Sequence, residues 1–357
     1  MVVYCAIEGG GTSWRVALVK DDPTDTANIE MGQFVTTENP EEVMGQIKHW
    51  LKGKHYDALG IATFGPLDAK VGSKDFGKIT TTPKPGWQDT DVVGYFWDGK
   101  TPMLFDTDVN APALAEYMYG NPAGTSSCAY ITVGTGIGVG LVVNGKPVHG
   151  MMHPEAGHLS FCKKEGVTYE GACSYHCGCV EGYACTLGIS GFKGVDKTSL
   201  ASLKDEDPVW DTVAHALGSL CYNLILTVSP ERIVISGGVM NREILYEKIR
   251  VVVKDLLKGY IKNPLVEEKI DQFIVPSTWG QKAGVVGTLT LAKCAYEESL
   301  ESMQSVSTEP NLESKRSKPM ETASISLEKL SPLLIGAAVG ALAVVGLSHM
   351  MKCPFKK

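Results

Sequence analysis

Two glycine-rich turns, far apart in the chain but set in similar surroundings, limit what this sequence can fold into. The first, Glu8-Gly9-Gly10-Gly11-Thr12, joins the apolar runs Val2–Ile7 and Trp14–Val19. The second, Gly134-Thr135-Gly136, joins Cys128–Val133 and Gly138–Val143. A strand-like run on each side of such a turn predicts a β-hairpin. Asn144-Gly145 marks a further tight hairpin turn directly afterwards. Strands are also expected at Ala58–Ala62, Pro102–Phe105 and Arg232–Ser236, and helices at Glu41–Leu51, from near Pro112, at Val209–Val228, from about Arg242 and at Gln281–Glu298. No short-period repeat is visible, which argues against a solenoid. The expectation is two similar α/β halves, 1–112 and 113–298, with a cleft between them; the last helix, 281–298, is free to pack on the first half.

The turns themselves suggest chemistry. Glycine permits positive φ, so several backbone N–H groups can aim at one anion, and its lack of a side chain lets that anion approach. Either turn alone is an ordinary hairpin connection. As a pair at equivalent points of two halves, Gly9, Gly10, Gly11 and Thr12 with Gly134, Thr135 and Gly136 point to a chain of phosphates. No Gly-Lys-Ser/Thr follows, so this is not a P-loop, and no dinucleotide fingerprint opens a strand–helix unit. Asp108 sits where a strand gives way to a helix. A carboxylate held ionised there by the helix N-terminus can take a proton from an attacking hydroxyl during phosphoryl transfer. It can equally be the helix N-cap.

His158 and the run Cys173-x2-His176-x2-Cys179 supply two thiolates and two imidazoles at spacings that suit tetrahedral zinc. With all four positions filled by protein, such a zinc is structural. Cys177 lies inside the motif, either as a competitor for the metal or as a spare, and buried free cysteines are the plainer alternative. Glu155 and Glu181 flank this knuckle, placed either to grip hydroxyl groups or simply as surface carboxylates.

The chain has 357 residues, enough for two cores, and a net charge of −7 without a Lys/Arg cluster in its body, which argues against nucleic-acid partners. Its ten cysteines follow no signal peptide, so a reducing compartment is expected. A polar stretch, 299–331, reads as a flexible linker, and the apolar stretch 332–351 is long enough for a transmembrane helix. This predicts a C-terminal tail anchor, membrane localisation and a catalytic body in the cytosol.

Taken together, these residues resemble the ROK family of sugar kinases, and within it the bacterial-type fructokinases. The resemblance runs from about Val3 to Ala295. Its carriers are Glu8 to Thr12, Gly65-Pro66, Thr107-Asp108-Val109-Asn110-Ala111, Ile131 to Gly138, His153 to His158, Cys179 to Gly182 and Ser236 to Met240. It implies a two-domain actin-like ATPase (ribonuclease H-like) fold with an interdomain cleft. It implies ATP with Mg2+, a hexose substrate and Asp108 as catalytic base. Gly65, Pro66, Glu155, His158 and Glu181 would then lie at or beside the sugar, with His158 also a zinc ligand. Gly9 to Thr12 and Gly134 to Gly136 would border the phosphates, and Gly237-Gly238 the adenosine. Glu8 stands where many members have Asp, and Thr107 where glucose-directed members often have Asn. Thr107, together with the Cys-x2-His-x2-Cys knuckle in place of a three-cysteine pattern, leans towards fructose, with mannose, glucose or a sugar sensor without catalysis as alternatives. Many members are dimers. The repressors of the family add an N-terminal DNA-binding domain, for which a hairpin beginning at residue 2 leaves no room.

Overall fold

Residues 1–307 are described by the computed structural model. The first sheet is built from β1 (Val3–Gly9), β2 (Ser13–Lys20), β3 (Glu30–Val35), β4 (Ala58–Thr63) and β5 (Met103–Thr107), with helix α1 (Pro40–Leu51) between β3 and β4 and the short α2 (Val92–Phe96) before β5. The second contains β6 (Ser127–Val133), β7 (Ile137–Val143), β8 (Lys146–Pro147), β9 (Ile233–Ser236) and β10 (Ile274–Pro276). Its helices are α3 (Asn110–Ala115), α4 (Val180–Ala184), α5 (Thr186–Lys193), α6 (Val209–Thr227), α7 (Ile244–Leu257), α8 (Pro264–Glu267) and α9 (Ile270–Phe273), and α10 (Ala283–Ser307) closes the described chain.

The sheets have one topology used twice. Their orders are β3-β2-β1-β4-β5 and β8-β7-β6-β9-β10. In each, the first three strands are antiparallel and the last two join in parallel. Both glycine turns thus occupy the same place, between the first two strands of each half.

Alternation along the central strands explains how each sheet is covered on both faces. Cys5 and Ile7 of β1 face Val43, Met44 and Ile47 of α1, whereas Tyr4 and Ala6 face Val285, Leu289 and Ala292 of α10. Ala129, Ile131 and Val133 of β6 meet α6 and α7, and Cys128 and Tyr130 meet Ala111, Ala113 and Leu291. Helix α1 begins where the sequence specifies a start. The Asn39 side chain caps Glu42 N–H at 3.4 Å, Pro40 takes the first turn, and Glu41 and Glu42 face the positive end of the dipole.

Helix α10 also approaches its neighbours closely at two glycines. A Cβ on Gly60 of β4 would stand 2.0 Å from Thr288 O, and one on Gly284 would stand 2.0 Å from Glu8 Oε1. The start of α10 is therefore pressed onto the first glycine turn. It also runs past Glu298, where the sequence pattern weakens, because its buried face continues only as far as Ala295 while the backbone bonds carry on to Ser307.

The membrane expectation is corrected. Among the described residues, no helix is long and apolar enough to cross a membrane. The 332–351 stretch that suggested a transmembrane tail anchor, and with it a membrane localisation, lies outside the described residues. Apolar composition over some twenty residues is a length argument only, and gives no packing evidence of its own.

Replacing Gly60 by Ala should cost about 1–3 kcal/mol in urea unfolding, because α10 must retreat from β4. Gly45, inside α1 with nothing near its missing Cβ, should respond in the opposite sense, with Ala stabilising by about 0.5–1 kcal/mol.

Candidate active site

Asp108 lies immediately beyond β5, and its N–H donates to Thr63 O at the end of β4 (3.0 Å). It is not the helix cap. The Thr107 hydroxyl accepts from Asn110 N–H at 2.9 Å, and the Asp108 carboxylate makes no such bond to the helix. Nor does the helix end hold it ionised, as the sequence suggested. Burial pushes its carboxyl up to about 7, the Glu8 and Glu155 carboxylates add to the rise, and the Asp108 backbone N–H and Lys84 ammonium only partly oppose it. A six-residue helix offers too weak a dipole to offset two neighbouring carboxylates.

Those neighbours arrive from both halves. Glu8 is raised by burial against α10, with Arg15 Nη1 at 3.3 Å in opposition. Glu155 keeps 37 % of its side-chain surface, yet partial burial and then Glu181 lift it to about 7. Glu181 is committed to structure: its Oε2 accepts from Ile137 N–H at 2.9 Å, which pins the second glycine turn. Its Oε1 lies 3.9 Å from His158 Nε2.

A loop from the second half crosses to the first. His149 Nε2 lies 3.0 Å from Asp106 Oδ2, and Asn110 Nδ2 donates to Asp106 Oδ1 at 2.9 Å. The Asp106 hydrogen bond raises the His149 pKa. Leu67 N–H donates to His153 Nε2 at 3.1 Å, which fixes the loop against the cis Gly65-Pro66 turn. Burial lowers the His153 pKa, consistent with a neutral ring that accepts there. The Gly65-Pro66 turn and the segment carrying His153 and Glu155 are thereby held together, with Asp108 within electrostatic reach of Glu155.

The four zinc candidates also converge. His158 Nδ1 lies 3.7 Å from Cys173 Sγ and 3.9 Å from Cys179 Sγ, and Cys173 Sγ lies 3.7 Å from His176 Nδ1. The ligand atoms of all four lie within 4.8 Å of one another. A tetrahedron with ordinary Zn–S and Zn–N bonds has edges of about 3.3–3.8 Å, so these residues fit such an ion. Gly182 N–H donates to Cys179 Sγ at 3.4 Å, a bond that favours thiolate. Cys177 is exposed and outside the group.

In the second turn, Gly134 O accepts from both the N–H and the hydroxyl of Thr186, each at 2.8 Å, at the start of α5. Gly237 has φ 100°, and a Cβ there would meet Val133 O at 2.4 Å, so only glycine lets β9 end beside this turn. Gly238 then lines a cavity of about 560 Å3 together with Thr186, Ile189, Trp210 and Arg242. The Arg242 guanidinium lies 4.3 Å from the Trp210 ring centroid, giving the cavity a flat wall suited to a nucleobase. Trp210, Arg242 and Lys84 were not found from the sequence, since none sits in a glycine or Cys/His motif.

The sequence pattern of the ROK family matches residues 4–295. The fructokinase of Zymomonas mobilis is 36% identical over 301 residues, covering 82% of this chain and 97% of that protein. The fructokinase of Pediococcus pentosaceus is 32% identical, covering 82% of this chain and 98% of that protein. Among solved structures, the ROK family glucokinase of Streptomyces griseus in complex with glucose and AMPPNP superposes with a TM-score of 0.63 at 22% identity, over 82% of this chain and 99% of that one. The doubled sheet, the paired glycine turns and this match across nearly all of the described residues lead to one conclusion: the chain is a member of the ROK family.

Proposed function

We propose that this protein is an ATP-dependent hexose kinase that acts on fructose, giving fructose 6-phosphate and ADP. One observation carries the reading: Asp108 stands on the cleft floor with its carboxyl raised to about 7 by burial, Glu8 and Glu155. A base of that strength is ionised near neutral pH and still able to accept a proton from a sugar hydroxyl. Curated fructokinases 32–36% identical over most of the chain support fructose as the sugar.

In this reading Gly65, Pro66, Glu155, His158 and Glu181 surround the sugar. The turns at Gly9 to Thr12 and Gly134 to Gly136 take the phosphates, and the cavity beside Gly237-Gly238 takes the adenosine. Mg2+ accompanies ATP and neutralises phosphate charge, which the convergence of Glu8, Asp108 and Glu155 makes necessary. Asp108 receives the proton of the 6-hydroxyl as that oxygen attacks the γ-phosphorus. His158, Cys173, His176 and Cys179 would hold a structural zinc, and because His158 and Cys179 adjoin Glu155 and Glu181, that ion would brace the sugar-facing loop.

An ADP-release assay over fructose, mannose and glucose should show the highest kcat/KM for fructose; preference for glucose overturns the sugar assignment, and no turnover of any hexose overturns the kinase. Asp108→Asn should lower kcat by about 10²–10⁴-fold with fructose affinity little changed. The acid limb of kcat/KM should have a midpoint near 7, activity rising with pH as Asp108 loses its proton. Glu8→Gln removes a charge that raises Asp108, so that midpoint should move to lower pH in a pH–rate profile. Metal analysis of protein purified without chelator should find about one zinc per chain. Stripping it should lower the melting temperature and raise the KM for fructose.

A further inference from the structure

Lys84 belongs to no motif assigned above, yet its ammonium donates to Gly11 O in the first glycine turn. A Cβ on Gly11 would touch Lys84 Cε and Nζ, each at 3.1 Å, so the lysine lies directly across the turn. The amine also stands 5.6 Å from the Phe64 ring centroid and acts electrostatically on Asp108. Among the described residues it forms no salt bridge. A half-buried cation that carries only a carbonyl and a ring face as partners, between a phosphate turn and a base, is placed for an anion that arrives later.

The segment around it is built to hold it still. Prolines flank it on both sides, in Thr82-Pro83-Lys84-Pro85-Gly86-Trp87. Trp87 is buried, stacks on Trp14 at 5.1 Å between centroids, and donates from Nε1 to Thr37 O at 2.7 Å. Gly86 has φ 82°, and a Cβ there would overlap Glu38 O at 1.9 Å. Thr82 is buried, and its hydroxyl accepts from Lys84 N–H at 3.3 Å. Such fixed charges stabilise charge that develops in a transition state, because they need not reorganise when it appears.

We propose that Lys84 is a catalytic residue that donates to the γ-phosphoryl oxygens of ATP during transfer, an assignment that rests on the kinase reading. The bond between the γ-phosphorus and the β–γ bridging oxygen breaks, and its electron pair leaves with ADP. The sugar oxygen bonds to phosphorus and its proton passes to Asp108. Lys84 stays protonated throughout and gives up no proton; its role is to stabilise, from a fixed position, the charge on the phosphoryl oxygens as the group passes from donor to acceptor.

Lys84→Met keeps the length and loses the charge, and Lys84→Arg keeps the charge. Relative to the unsubstituted chain, Lys84→Met should lose about 10²–10³-fold in kcat with fructose, the scale of a removed transition-state donor. ADP affinity and fructose affinity by calorimetry, and the melting temperature, should stay unchanged, and Lys84→Arg should recover part of kcat. A Lys84→Met chain that is folded and matches the unsubstituted kcat overturns the assignment. So does a loss confined to the KM for fructose, which would place the amine on the sugar instead. A melting temperature that falls for Lys84→Met, with no recovery of kcat in Lys84→Arg, would make the lysine structural and overturn it too. If the unsubstituted chain turns over no hexose, the kinase reading fails first and takes this inference with it.

Discussion

The crowding of carboxylates on the cleft floor is the constraint around which the rest of the molecule is arranged. Glu8, Asp108 and Glu155 come from three separate segments, and burial raises each of them. Like charges so close together in protein surroundings are unfavourable unless something compensates. Within the chain the compensation is partial: Arg15 lies beside Glu8, and Lys84 acts on Asp108. Burial first, and then this remaining deficit, raise the proton affinity of Asp108 to about 7.

The scaffold meets this constraint by rigidity. Each half presents its hairpin turn beside the ends of parallel strands, and short bonds fix the turns: Gly10 N–H to Ser13 O in one, Ile137 N–H to Glu181 in the other. The loop that carries His149, His153, Glu155 and His158 makes a contact with the opposite half or with Glu181 at three of these positions. Its course is therefore over-determined even though it contains little regular structure. Such a loop can hold the Glu155 carboxylate in one position relative to Asp108 and Glu181.

Much of this was legible in the residues. The two hairpins, α1 and the central strands announce themselves through period-two apolar runs, glycine turns and the Asn39-Pro40 start. The Cys/His spacing correctly marked four side chains that the fold brings together. Local pattern failed where the decisive neighbour is distant in sequence. Asp108 read as an ionised group near a helix end, because Glu8 and Glu155 could not be seen beside it. The hydroxyl of Thr107, one residue away, takes the Asn110 N–H instead. Lys84 and the Arg242–Trp210 wall escaped notice because a lone cation or aromatic in an aperiodic loop carries no signal until the chain is folded.

The intimate seating of α10 has a practical corollary. Its first turn touches the first glycine turn through Gly284 and Glu8, and the whole helix runs unbroken for 25 residues, about 37 Å at the usual rise per residue. A dye, tether or bead coupled at the Ser307 end would hence be displaced from the catalytic cleft by most of a small protein's width. The same rod would transmit strain at its other extremity straight into the phosphate turn, so probes are best attached at one terminus of this helix and engineering for altered turnover directed at the other.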